Sequence, residues 1–152
     1  MPQQQQAQHV STNGKDSMTD NIDLESKVID RFIIKTKRDR YLTFIKSEKT
    51  RPKFINDLSH VNFLQNDLFD TVEGNEYEFI KQRIKGLGNQ QDCYVISENK
   101  RIDKKRLDID TALTETIGAD HGTLLVFGDA EILYREAEGF NNRWISKPMQ
   151  FK

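Results

Sequence analysis

The sequence predicts an α+β fold, with a helical N-terminal half packed on a small mixed β-sheet. Three observations carry this prediction. Apolar residues recur at helical spacing between residues 23 and 60, β-rich apolar runs occupy residues 92–97 and 123–127, and a helix-like segment lies between those two runs. The pattern favours a β-α-β unit, followed by an antiparallel hairpin and a short last strand, with the helices on one face of the sheet.

The folded region is expected to span residues 22–148 as a single globular domain. Residues 1–21 are rich in Gln, Ser, Thr, Asn and Asp and contain almost nothing to bury, so we expect a disordered polar tail there. Met18 would also serve as a start for translation, and residues 149–152 are expected to form a short C-terminal tail.

Three successive helices are predicted in the N-terminal half. The first begins near Asp23, and the second follows on a shifted phase, as a separate helix or after a bend near Lys35. The third has Thr50 as its cap and Pro52 in its first turn, where the missing N–H of proline costs nothing. Their apolar faces consist of Val28, Ile29, Phe32 and Ile33, then Ile34, Tyr41, Leu42 and Ile45, then Phe54, Ile55 and Leu58.

An irregular but ordered connection is expected over residues 61–75, where bulky apolar residues mix with acids and turn formers without a clear period. Helical spacing returns in residues 76–88, with Tyr77, Ile80 and Ile84 on one face and Phe79, also expected in the core, beside it. A glycine, Gly86 or Gly88, is expected to end this helix.

The C-terminal half is predicted to contain the sheet. A helix capped by Asp108 or Asp110 and stopped by Gly118 separates the strands at 92–97 and 123–127, and a connection of this length predicts a parallel pair. Gly128 and Asp129 then predict a two-residue hairpin turn into a strand at 131–138, and residues 143–146 form a last short strand.

Bulk composition excludes several classes of protein. The chain has 152 residues and a net charge of −1, and no apolar run approaches the ~20 residues needed to cross a bilayer, so we expect no membrane partner. The N-terminus lacks the pattern of a secretory signal. Its one cysteine, Cys93, cannot form an internal disulfide, which favours a reducing, cytoplasmic location.

One candidate catalytic edge follows from the predicted parallel pair. Parallel strands would end together, placing Glu98 and Lys100 near Asp129, a grouping suited to metal-dependent phosphodiester hydrolysis. Glu98-Asn99-Lys100 after an apolar strand resembles the end of the restriction-endonuclease-like nuclease motif, although the Pro-Asp strand expected ahead of it is missing. The alternative interpretation is that both segments are ordinary surface turns, with no catalytic residue, metal or cofactor.

Cys93 and His121 form a second candidate pair, because the same topology places both at the opposite edge of the sheet. A thiol beside an imidazole is an activated nucleophile in many enzymes. The structural interpretation is that Cys93 is a buried core residue, as cysteines usually are, and we favour this interpretation over a catalytic role.

The strongest functional signal is a basic segment. Residues 27–53 contain ten Lys or Arg against three acids, whereas residues 54–100 contain four against eight. Such asymmetry steers a charged partner towards one face of a domain. The side chains expected to form the binding surface are Lys27, Arg31, Lys35, Arg38, Lys46 and Arg51.

These observations favour a non-catalytic binding or regulatory protein that acts on a macromolecular partner through charged surfaces. A protein partner is the first expectation, and a nucleic acid is possible because basic stripes also contact phosphates. The near-neutral net charge weighs against a dedicated nucleic-acid domain. The metal-dependent hydrolase is the enzymatic alternative, and the oligomeric state is left open.

Overall fold

The computed structural model describes residues 21–60, 62–73, 77–88, 90–138 and 143–148. The tails expected at 1–21 and 149–152 therefore lie outside the described residues, except for residue 21, which is already helical. No helix within the described ranges is both long and apolar enough to span a membrane.

The three predicted N-terminal helices are present as α1 (21–32), α2 (Lys35–Phe44) and α3 (Arg51–His60). The first two are separate helices, because Ile34 takes an extended conformation and Ile33 forms a β-bridge with Leu64. Nine of the eleven apolar positions that predicted these helices are buried, and the other two, Ile34 and Leu42, are half-buried.

The remaining elements extend from the middle of the chain to residue 146. A 3₁₀ turn at Asn66–Leu68 leads into a short strand that the sequence pattern does not reveal. The elements are β1 (Phe69–Thr71), α4 (Tyr77–Leu87), β2 (Asp92–Ser97), β3 (Arg106–Asp108), α5 (Ile109–Thr116), β4 (Thr123–Phe127), β5 (Ile132–Glu136) and β6 (Arg143–Ser146).

The α+β class is confirmed, but the prediction of a mixed sheet is wrong. The six strands form one sheet in the order β1-β6-β5-β4-β2-β3, and each neighbouring pair is antiparallel. In particular, Tyr94 pairs with Val126 and Ser97 with Thr123, so β2 and β4 run in opposite directions.

The physical reason is the edge strand β3, which the pattern-based prediction missed. After β2 the chain turns back and forms β3 antiparallel to it, pairing Asp92 with Asp108. Helix α5 then returns the chain along the sheet, capped as predicted by Asp108, whose carboxylate accepts a hydrogen bond from the Thr111 N–H. The chain therefore reverses three times between β2 and β4 instead of the two times predicted, and an odd number of reversals makes β4 antiparallel to β2.

Helices cover both faces of the sheet, whereas the sequence predicted them on one. Side chains of α1, α2 and α3 pack with Tyr94, Ile96 and Leu133 on one face. The helices α4 and α5 pack with Cys93 and Val95, the alternate residues of β2, on the other. The central strands are consequently buried on both sides, which explains their nearly continuous apolar sequences.

The predicted β4–β5 hairpin is confirmed, but its turn is longer than two residues. Phe127 pairs with Ile132, which leaves residues 128–131 as the connection. Gly128 and Ala130 both have positive φ, at 64° and 58°. Ala130 is nevertheless fully buried, so the turn is packed against the core rather than projecting into solvent.

Arg135 of β5 is an unusual core residue, because its guanidinium is buried without a carboxylate partner in the described part of the chain. One nitrogen donates to the Leu58 carbonyl oxygen at 3.2 Å, and the group lies over the rings of Phe63 and Trp144. Burial lowers the pKa of Arg135. The aromatic faces and the C-terminal end of α3 compensate only part of the cost of burying the charge.

Replacing Arg135 with methionine is therefore expected to leave the free energy of unfolding unchanged or to raise it by about 1 kcal/mol, because an apolar side chain of similar length removes the desolvation cost. Chemical denaturation in urea measures this. The control is Arg135→Ala, which removes the packed stem as well and should destabilise by about 2 kcal/mol. Equal losses in both variants would show that the charge itself is stabilising.

Candidate binding surface

The candidate catalytic residues do not share an edge of the sheet. Glu98 follows the end of β2, next to the start of β4, because Ser97 pairs with Thr123. Asp129 follows Phe127 at the far end of β4. The expectation that Glu98 and Lys100 lie near Asp129 is therefore wrong, since it depended on parallel strands.

Each of these carboxylates has a local structural role. One oxygen of Glu98 accepts hydrogen bonds from the Ser59 hydroxyl and from the Gly122 N–H, both at 2.6 Å, which joins the end of α3 to the start of β4. The Lys100 side chain is exposed. Across the described ranges, no group of three or more His, Cys, Asp or Glu side chains is placed to hold a metal ion.

Lys27 and Arg31, two members of the predicted basic stripe, hold the β4–β5 turn against α1. The Lys27 ammonium lies 2.7 Å from the Asp129 carboxylate, and Arg31 donates to the main-chain carbonyls of Asp129 and Ala130. The hydrogen bond from Lys27 lowers the pKa of Asp129. Both basic side chains are thus occupied within the molecule.

Arg38 also has internal partners. Its Nε donates to the carbonyl of Ile33 at 2.8 Å, and a terminal nitrogen donates to the Gln65 side chain at 3.2 Å. These bonds fix the junction between α1 and α2 to the segment that follows α3. Arg38 therefore contributes to the stability of the fold.

Arg51 is a buried structural residue, 6% exposed, at the start of α3. It forms ion pairs with Glu25 at 2.7 Å and Asp103 at 2.6 Å, and the same Glu25 carboxylate accepts a hydrogen bond from the Tyr94 hydroxyl. Burial opposes the charge of Arg51, but the hydrogen bonds to Asp103 and Glu25 outweigh it and raise its pKa. Asp103 also accepts from the N–H of Ser97, so the network joins α1, α3 and β2.

Two of the six predicted binding residues, Lys35 and Lys46, are exposed and form no ion pair with a described residue. They belong to a larger set of exposed or half-exposed cations on α2 and on the loop at 45–50, for which no ion pair with a described residue is present. We call this set the basic patch, and its members are Lys35, Lys37, Arg40, Lys46 and Lys49.

A small recess lies beside the basic patch. Its volume is about 120 Å³, its walls include Ile22, Ile45 and Tyr94, and the Glu25–Arg51 ion pair lies at its base. Lys46, Glu48 and Lys104 also line it. Lys104 could not be predicted from the sequence, because only the folded structure brings the β2–β3 loop next to the loop at 45–50.

A second cleft of about 430 Å³ lies at the other end of β4 and contains Asp129. It is polar, and its charges are largely matched, since Lys27 pairs with Asp129 and Arg106 lies 3.9 Å from Asp92. Only Asp23, among its carboxylates, has no ion pair with a described residue. Matched charges favour a structural role for this cleft.

The candidate pair Cys93 and His121 is also separated by the antiparallel topology. Cys93 lies near the start of β2 and is fully buried, whereas His121 is exposed before β4, next to the end of β2. Burial raises the pKa of the Cys93 thiol to about 12. A thiol of that pKa is protonated at neutral pH and is a poor nucleophile, which agrees with the interpretation of Cys93 as a core residue.

None of the protein-family models, curated proteins or solved structures compared with the chain matches it. The basic patch and the adjoining recess are therefore the features on which a function can be argued.

Proposed function

We propose that the protein binds an acidic protein partner through the basic patch and performs no catalysis there. The observation that carries the proposal is the distribution of ion pairs. Ion pairs join Lys27 to Asp129, Arg51 to Glu25 and Asp103, Lys81 to Asp110, Arg83 to Asp70, Arg101 to Glu115, Arg106 to Asp92 and Arg143 to Glu136. Within the described residues, none uses a side chain from residues 35–50.

This uncompensated segment carries a considerable charge. Residues 35–50 contain six basic and two acidic side chains, which leaves four positive charges on one helix and the loop after it. The apolar content of α2 is low, and Tyr41 is its fully buried side chain. A helix with a small buried face and a concentrated exposed charge suits recognition of an oppositely charged surface.

A protein partner is favoured over a nucleic acid because the charge is local. The chain as a whole has a net charge of −1, so an extended polyanion would meet repulsion beyond the patch. An acidic surface on a protein can match the patch alone. Nucleic-acid binding is kept as an outcome that the experiment distinguishes.

The test uses two probes, a poly-glutamate peptide short enough to contact the basic patch alone and a longer DNA duplex, and measures fluorescence anisotropy at low and physiological ionic strength. Wild-type protein is expected to bind poly-glutamate more tightly than DNA, with affinity that falls as salt screens the charges. Changing Lys35 and Lys46 together to glutamate should weaken binding of poly-glutamate by about tenfold or more, because two attractions become repulsions. Arg38 stays unchanged, since it has a structural role.

The matched control is Lys85→Glu with Lys147→Glu, which changes the charge equally on α4 and after β6. This control should retain most of the wild-type affinity. If both double variants lose affinity equally, net charge and not the basic patch governs binding. Tighter binding of DNA than of poly-glutamate would indicate that the partner is a nucleic acid and not a protein. No binding of either probe would reject the proposal.

A further inference from the structure

The recess beside the basic patch has an apolar wall that reaches solvent. Ile22, on α1, is 38% exposed and lines the recess together with Ile45 and Tyr94. Ile22 and Phe79 are the two large apolar side chains that the described residues expose, and Phe79 lies on α4, which covers the opposite face of the sheet. An exposed apolar residue in a concave site beside unpaired charge is typical of a contact surface.

The volume of the recess indicates what it can hold. Sites for cofactors and drug-sized ligands measure about 300–1,000 Å³, and this recess measures about 120 Å³. An apolar cavity of about 150 Å³ accommodates one benzene ring. The recess therefore suits a single aliphatic side chain, of the kind that anchors one protein in a pocket of another.

The base of the recess presents no free polar group to such a side chain. Both oxygens of Glu25 accept hydrogen bonds from Arg51, and one also accepts from the Tyr94 hydroxyl. Arg51 is held by two carboxylates in turn. The polar groups at the base of the recess are hydrogen-bonded to one another, and the walls are apolar. An aliphatic side chain can therefore enter without desolvating an unpaired polar group.

The mouth of the recess favours acidic neighbours for that side chain. Lys46, a member of the basic patch, and Lys104 both line the recess, with Glu48 as the opposing charge. Lys104 has a φ of 67°, a left-handed conformation that residues other than glycine rarely adopt. A strained, exposed lysine at the mouth of a recess is consistent with a role in recognition.

We infer that the recess binds one aliphatic side chain of the acidic protein partner, and that carboxylates flanking it in the partner contact Lys46 and Lys104. This inference rests on the proposed function and adds to it a recognition element: a branched apolar residue within an acidic segment.

Two synthetic peptides test the recognition element by isothermal titration calorimetry with the full chain. Both are glutamate-rich and identical except for one central residue, which is leucine in the first and alanine in the second. The leucine peptide should bind about tenfold more tightly, because burying the extra methyl groups in a fitted pocket gives discrimination of that order. Equal affinities for the two peptides would overturn the inference of an anchoring side chain while leaving the proposed function intact. If neither peptide binds, both the inference and the proposed function are rejected.

Two variants of the protein separate the apolar and charged contributions. Ile22→Trp fills the recess from an exposed position and should abolish the preference for leucine while retaining the affinity for the alanine peptide. Lys104→Gly removes the charge and relieves the left-handed strain, so it should fold at least as stably as the wild type. It should nevertheless bind both peptides about threefold to tenfold more weakly. Unchanged selectivity in the first variant, or unchanged affinity in the second, would overturn the inference.

Discussion

Replacing Arg51 with methionine is expected to lower the free energy of unfolding by about 3–5 kcal/mol, the largest loss predicted for a single side chain of this protein. The substitution leaves Glu25, which is 2% exposed, with the Tyr94 hydroxyl as its remaining side-chain donor among the described residues. Asp103 keeps the Ser97 N–H but loses its ion pair. A buried carboxylate without its cation costs far more than the intact pair contributes.

Urea denaturation followed by circular dichroism measures this loss. The control is Arg38→Met, which removes hydrogen bonds to a carbonyl and to an amide and leaves no carboxylate without its cation. The control should lose about 1–2 kcal/mol. A loss for Arg51→Met no larger than that of the control would show that Glu25 and Asp103 find other partners.

Changing Gly122 to alanine is expected to destabilise the protein by about 2–3 kcal/mol, because α3 approaches the backbone closely at this position. An added Cβ would lie 2.7 Å from the Leu58 Cβ and at the same distance from the main-chain nitrogen and Oγ of Ser59. The main-chain atom cannot move without displacing the helix. Movement would also disturb the hydrogen bond from the Gly122 N–H to Glu98.

The matched control is Gly86→Ala in α4, where the new Cβ would have no described atom within 4 Å outside its chain neighbours and the backbone of the helix itself. Alanine has a higher helix propensity than glycine, so this variant should be about 0.5–1 kcal/mol more stable than the wild type. Thermal unfolding of both variants gives the comparison. Similar midpoints for Gly122→Ala and the wild type would mean that α3 can shift at little cost.

Local sequence patterns correctly predicted those helices and turns whose structure depends mainly on the residues within the same segment. The helical spacing of Val28, Ile29 and Phe32 is enough to define α1, because one face of a helix must be buried. The cap at Asp108 and the hairpin after Phe127 follow from equally local chemistry. Phe79 is an exception, since its aromatic ring was expected in the core and is 48% exposed.

The direction of β4 relative to β2 could not be predicted from local sequence patterns. It depends on β3, a strand of three residues whose sequence, Arg106-Leu107-Asp108, has too few apolar residues to show alternation. An edge strand of this kind is defined by its partner, here β2, and not by its own composition. The error in topology then misplaced Glu98 relative to Asp129.

The candidate site was partly predictable from the sequence. The excess of basic residues between 27 and 53 located the basic patch approximately, but it did not separate exposed cations such as Lys46 from structural ones such as Arg51. That distinction depends on carboxylates far away in the chain, at Glu25 and Asp103. The recess likewise exists only where three segments distant in sequence meet.

The Arg51 network also bears on how fast a partner can bind. Arg51 directly follows the loop that carries Lys46 and Lys49, and its partner Asp103 directly precedes Lys104. One ion pair thus fixes the spacing between the two loops that form the mouth of the recess before any encounter. A preorganised mouth requires no loop ordering on association. Complex formation should then approach rigid-body docking, with an association rate set by electrostatic steering and a residence time set by the anchored side chain.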